Sequence, residues 1–175
     1  IKYYNGEKIS DITVKSPENI KPINCPKKFN SSAIDEFLTL FLIASKANGT
    51  SYFKGLEELN NKESPRLKIG SKFLTMIGVK NYCTKDSIKI VGNPSLKLNG
   101  NYVMKNFLKD HRVFMMSTIA ALTLGGNWKI FDPKSAETSF PSFLNLIKKV
   151  GGKYKYNWKS IILTNMQKIV DYSQF

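Results

Sequence analysis

Apolar residues between positions 33 and 47 recur with helical spacing, opened by Ser31 and Ser32 as candidate caps and closed by Asn48-Gly49, a left-handed stop. Residues 50–54, Thr-Ser-Tyr-Phe-Lys, then read as a strand. A polar loop over 55–61 leads to Lys62-Glu63-Ser64-Pro65, where the proline suits a first helical turn, and to an amphipathic run ending at Ile77-Gly78. Residues 81–84 and 88–91, separated by Lys85-Asp86-Ser87, are predicted to form a hairpin. The pattern then restarts. A helix is expected from Asp110-His111-Arg112 to Leu124, with Gly125-Gly126 as its stop. A strand over 128–131 follows, and then a helix from Ser139-Phe140-Pro141 to Val150-Gly151-Gly152.

The second series echoes the first. Asp35 corresponds to Asp110, Ser64 to Ser139 and Gly78 to Gly151, each pair offset by about 75 residues, which predicts a repeated helix-strand-helix-strand unit. The expected fold class is therefore α/β (α+β), one partial domain over 1–157 with units at 31–92 and 106–157. Residues 1–30, with a strand-like stretch at 9–14 and three prolines, read as the tail of an earlier unit. In 158–175, Ile162, Met166, Ile169 and Val170 fit a C-terminal helical tail.

This layout collects charged residues at helix starts. Asp35, Glu63-Ser64-Pro65-Arg66 and Asp110-His111-Arg112 all fall there, and parallel stacking of the units would bring those ends together. Helix N-termini expose unpaired N–H groups and a partial positive charge, so such a cluster with Lys62, Arg66 and Arg112 suits phosphate or carboxylate. Asp35 and Asp110 are equally readable as helix caps. Lys62, Arg66 and Arg112 oppose the helix dipole and call for an anion or a carboxylate neighbour.

Composition narrows the classes. The longest apolar stretches, near 37–44 and 115–124, fall short of the roughly 20 residues a membrane helix needs, so no membrane partner is expected. Cys25 and Cys83 stand far apart and His111 is the only histidine, so no metal site and no cofactor are expected. Reduced thiols in a cytoplasmic protein are the default. The net charge of +14 raises a polyanion partner, yet the lysines are scattered rather than clustered. Of the 27 basic residues only Arg66 and Arg112 are arginines. Their planar forks suit two-point recognition of an oxyanion, or a pair of structural salt bridges.

The segment Gly55-Leu56-Glu57-Glu58-Leu59-Asn60-Asn61-Lys62-Glu63-Ser64-Pro65-Arg66 resembles the EPSP synthase pattern G-x-E-E-L-R-V-K-E-S-D-R. Asp110-His111-Arg112, an apolar helix, Gly125-Gly126 and Ser139-Phe140-Pro141-Ser142-Phe143 resemble the same family's D-H-R to S-F-P-x-F block, and Ile34-Asp35-Glu36 resembles its I-D-E helix start. The resemblance covers residues 33–153. It implies βαβαββ units of the enolpyruvyl transferase fold, an inside-out α/β barrel, with about two of the three units of one domain present.

The implied activity is transfer of the carboxyvinyl group of phosphoenolpyruvate to shikimate 3-phosphate with release of phosphate, a step of aromatic amino acid biosynthesis. By the same resemblance Asp35 accepts the hydroxyl proton and binds the shikimate ring. Lys62 contacts the reacting centre and both substrates, and Glu63 is the second proton-transfer carboxylate. Arg66 and Arg112 clamp phosphoenolpyruvate, while Asp110 and His111 support them. Such chemistry needs a proton donor, a base and surrounding cations. Pro65 replaces the family's Asp or Asn, and Thr138 stands where some members place a substrate-binding Lys.

The family's N-terminal K-S-x-x-x-R loop is not found, since Lys15-Ser16 lacks the following Arg. Ile1 reads as a truncation or processing point, with the missing N-terminal part of the enzyme as a partner and the isolated chain nearly inactive. Competing classes are a UDP-N-acetylglucosamine enolpyruvyl transferase relative, an inactive interaction module, and a basic nucleic-acid-binding module in which Tyr154, Tyr156 and Trp158 among Lys153, Lys155 and Lys159 would stack bases. The expectation is no nucleic acid.

Overall fold

The computed structural model describes residues 2–11 and 13–164. Lys2–Tyr4 (β1) and Glu7–Ile9 (β2) form a small exposed hairpin. The body follows as Phe37–Ser45 (α1), Thr50–Lys54 (β3), Arg66–Met76 (α2), Asn81–Cys83 (β4), Ser87–Val91 (β5), Leu98–Met104 (β6), His111–Leu124 (α3), Gly125–Phe131 (β7), Phe143–Lys149 (α4), Tyr154–Tyr156 (β8) and Ser160–Leu163 (β9). The order α-β-α-β-β thus occurs twice. Its pairing also repeats: the sheets run β3-β5-β4 and β6-β7-β9-β8, with each shared strand pair antiparallel.

In the second sheet β6 lies parallel to β7. In the first, Asn24 makes a parallel bridge to Tyr52, and the Tyr52 amide donates to the Ile23 carbonyl at 2.8 Å. Residues 20–25 therefore run beside β3 as β6 runs beside β7. The segment read from sequence as a tail supplies an edge to the first unit.

Alternation sets the faces. Phe53, Ile88 and Ile90 of the first sheet and Trp128, Ile130, Ile161 and Leu163 of the second point inward, each at most 2% exposed. α1, α2 and α3 fill the space between, in one continuous apolar cluster. Phe37, Phe41 and Phe53 meet at ring distances of 5.2 to 6.2 Å. Trp128 lies between Phe73 of α2 and Tyr102 of β6, at 5.9 and 4.7 Å, so this side chain of the second unit packs on a helix of the first. Each such aromatic contributes roughly 2–3 kcal/mol through burial.

Several boundaries differ from expectation. α1 starts at Phe37, because residues 30–36 close tighter turns, with the Glu36 amide bonded to the Ala33 carbonyl. Ser32 bonds back to the Phe29 carbonyl instead of capping. Gly125 is the C-cap of α3, as expected, but it and Gly126, with φ of 86° and 83°, also open β7 without an intervening loop. A 3-10 turn over Pro133–Ala136 precedes α4, which begins at Phe143 rather than Ser139. β6 has no counterpart among the strands that the apolar pattern predicts. Part of the expected tail helix is the strand β9, which satisfies its backbone against β7 and β8; the remainder, 165–175, lies outside the described residues.

Candidate active site

Three helix starts meet at one buried arginine. Arg66, the first residue of α2, is 1% exposed. Its Nε donates to Asp110 Oδ2 at 2.9 Å, its Nη1 to Asp35 Oδ1 at 2.7 Å, and its Nη2 to Glu63 Oε2. All three guanidinium nitrogens thus face carboxylates from three parts of the chain. A cation in a first helical turn needs such neighbours, because the dipole there repels it.

Asp110 is fully buried and caps α3. Its Oδ1 accepts from the Arg112 amide at 2.9 Å, and its Oδ2 also accepts from Ser64 Oγ at 2.8 Å. Burial alone would push its carboxyl up, but the hydrogen bonds from Arg66 and Ser64, the Arg66 charge and the Arg112 amide hold it below the usual carboxylate range. For Arg66 burial works to lower the pKa, and the bond and charge of Asp110, with Glu63 and Asp35, raise it instead. Both members of the pair are therefore ionised. A buried pair of this kind holds together because the added hydrogen bonds from Ser64 and the Arg112 amide, and those to Asp35 and Glu63, offset its desolvation.

Arg112 extends the network outward. Its side chain is 27% exposed, and Nη1 donates to the Asp35 carbonyl at 2.9 Å and to Glu36 Oε1 at 2.7 Å, with Nη2 at 3.5 Å from Asp35 Oδ2. Asp35 thus sits between two guanidinium groups while its own side chain is 44% exposed. His111 and Glu63 line a neighbouring cleft of about 780 Å³. Lys62 lies apart from the network: its Nζ is 3.5 Å from Glu58, one helical turn back.

The structure therefore joins Asp35, Glu63, Arg66, Asp110 and Arg112, places His111 on the cleft that Glu63 also lines, and leaves Lys62 next to Glu58. Asp35 precedes α1 by two residues and makes no cap for it. Sequence reasoning gave Ser64 and Glu36 no separate role; the spacing that makes Ser64 a partner of Asp110 shows only once α2 and α3 are placed together. Among the described residues no cluster of His, Cys, Asp or Glu fits a metal ion, and no helix is long and apolar enough to cross a membrane.

A fold of recurring α-β-α-β-β units with an arginine-carboxylate cluster at its helix starts defines a class of α/β proteins. Within it, residues 4–147 match the family model for EPSP synthase (3-phosphoshikimate 1-carboxyvinyltransferase), and the chain belongs to that family. It is 34% identical over 150 residues to the 3-phosphoshikimate 1-carboxyvinyltransferase of Ruthia magnifica subsp. Calyptogena magnifica, covering 83% of this chain and 33% of that protein. The Zymomonas mobilis protein of the same name is 35% identical over 162 residues, covering 89% and 36%. An EPSP synthase structure from Acinetobacter baumannii superposes with a TM-score of 0.68 at 32% identity, over 75% of this chain and 30% of that one. The chain spans about a third of the length of the curated relatives it matches.

Proposed function

We propose that this chain supplies one wall of an active site that moves the carboxyvinyl group of phosphoenolpyruvate onto the 5-hydroxyl of shikimate 3-phosphate, in the cytoplasm. The observation that carries the reading is Arg66, whose single fork orders Asp35 and Glu63, the two carboxylates that the family pattern assigns to proton transfer. Addition of an alcohol to an enol ether needs a base at the hydroxyl and an acid at the methylene carbon. Asp35, half-exposed between Arg66 and Arg112, takes the hydroxyl proton, and Glu63, open to the cleft, delivers a proton to carbon. Arg112 receives the substrate carboxylate by exchanging its exposed contact with Glu36, an anion-for-anion swap that costs little. Arg66 offers the same substrate the second Nη1 proton beside Asp35, while its Nε stays on Asp110 and its Nη2 on Glu63. Lys62, free to leave an exposed partner, would turn toward the reacting centre.

The relatives' remaining length would bring the other wall and most contacts to the shikimate phosphate. The test is a graft of residues 4–147 into the matching segment of the Acinetobacter baumannii enzyme, assayed for phosphate release with both substrates. Turnover is expected for the graft and not for the 175-residue chain alone. Glu63→Gln and Asp35→Asn should each lower kcat of the graft by about 10²- to 10⁴-fold. A graft indifferent to both changes, and to Arg66→Lys and Arg112→Lys, would leave only a scaffold.

A further inference from the structure

Ser64 lies two residues before α2, where capping the free N–H groups of the helix is the usual task of a serine. It does not cap. Helix α2 has no side-chain cap, and the buried Ser64 hydroxyl donates instead to Asp110 Oδ2 at 2.8 Å. Between Ser64 and Arg66 the chain turns at Pro65, with φ −71° and ψ 74°, and the Arg66 amide donates to the Ser64 carbonyl at 2.7 Å. This is an inverse γ-turn, and the proline ring holds φ near the value that it needs. Ser64 therefore grips Arg66 at both ends. Its carbonyl holds the Arg66 amide, and its hydroxyl shares Asp110 Oδ2 with Arg66 Nε, which lies at 2.9 Å.

The way Asp110 is held decides what the guanidinium can do. Its Oδ1 accepts from the Arg112 amide at 2.9 Å, while Arg66 Nη2 stays 3.4 Å away from the same oxygen. A carboxylate beside the Nε–Nη2 edge of an arginine favours two short parallel bonds. Only the Nε bond is short here, because the Ser64 hydroxyl on one oxygen and the Arg112 amide on the other fix the carboxylate's direction. Nη2 gives its short bond to Glu63 instead. The Glu63 side chain is half-exposed and has no other hydrogen bond among the described residues, so this contact is the one that aims it.

We infer that Ser64 is a positioning residue: its hydroxyl directs the Asp110 carboxylate so that the Arg66 fork keeps Nη2 on Glu63 and Nη1 on Asp35, which sets the two carboxylates relative to each other. Without that hydroxyl Asp110 Oδ1 closes on Nη2, and Glu63 loses the bond that orients it. Pro65, which stands where the family pattern has Asp or Asn, stiffens the turn through which Ser64 acts. The catalytic consequence rests on the transfer reaction proposed above; the setting of the fork does not.

Arg66 and Arg112 are the only arginines, so the arginine Nε–H region of a nitrogen-proton NMR spectrum holds two signals, and Arg112→Lys assigns them. In the 175-residue chain Ser64→Ala should move the Arg66 signal while circular dichroism stays that of the parent. Ser64→Thr, which keeps the hydroxyl, should return the signal to its parent position. In the graft described above, Ser64→Ala should lower kcat by about 10- to 100-fold and change KM for either substrate by no more than about twofold, the split expected when alignment rather than binding is lost. Ser64→Thr should recover most of the kcat. A serine that served stability alone would lower the thermal midpoint and leave kcat per folded molecule unchanged. That result would overturn the inference, as would an Arg66 signal that Ser64→Ala does not move, or a folded Ser64→Thr as impaired as Ser64→Ala. A parent graft without turnover would sink the proposed reaction, and the arginine signals would then decide the role of Ser64 by themselves.

Discussion

Asp110 has no solvent exposure and accepts hydrogen bonds from Ser64, Arg66 and the Arg112 amide. Replacing it with alanine leaves Arg66 buried beside two surface carboxylates and strips α3 of its cap. The expected loss is about 3–5 kcal/mol, read as a fall in the urea midpoint. Asp110→Asn keeps the shape and removes the charge, and its effect has a definite pH dependence. The folded carboxyl titrates below its unfolded value of about 3.9, so the unfolded chain takes up more protons as the pH falls. The contribution of Asp110 is therefore complete above that value and is lost as the pH drops through the folded one. Thermal midpoints of the parent and Asp110→Asn should differ most near neutrality and converge toward pH 2; a constant gap would show that the charge of Asp110 adds nothing.

Among the elements, Gly92 shows why the end of β5 tolerates no side chain. A Cβ there would meet the Ala47 carbonyl oxygen at 2.2 Å and the Ala44 carbonyl oxygen at 2.7 Å, where the strand leaves against the C-terminus of α1. Backbone cannot rotate away as a side chain can, so Gly92→Ala should destabilise by about 2 kcal/mol in chemical denaturation. The helices and the β4-β5 hairpin were legible because their apolar period matches their geometry and their ends carry turn residues. β6 was not, since Leu98-Asn99-Gly100-Asn101 reads as a loop; it is a strand because it lies parallel to β7. Ser160–Leu163 was drawn into a helix by Ile162 alone, while its neighbours β7 and β8 decide its state. The members of the site were legible as motifs. That one arginine faces three carboxylates was not, because those pairs lie 31, 3 and 44 residues apart.

At the scale of the whole molecule the two units share one core. Trp128 stacks on Phe73 of the first unit and Tyr102 of its own, and its Nε1 donates to the Gly125 carbonyl at 2.8 Å. Unfolding followed by far-ultraviolet circular dichroism and by Trp128 emission in Trp158→Phe should therefore coincide. Trp128→Ala should cost about 3–5 kcal/mol and separate the two units into distinct transitions. Persistence of one transition after that change would mean that the remaining helix contacts suffice to couple them.

The arginine cluster also bears on the order in which the chain acquires its structure. Asp110 meets Arg66 across 44 residues, Asp35 meets it across 31, and Arg112 reaches the Asp35 carbonyl across 77, whereas the hairpins close over a few. Contacts so distant in sequence are held back by the entropy of closing long loops and form slowly. In a refolding experiment the hairpins and helices should recover first, and the acid-sensitive contribution of Asp110 should return only in the last kinetic phase.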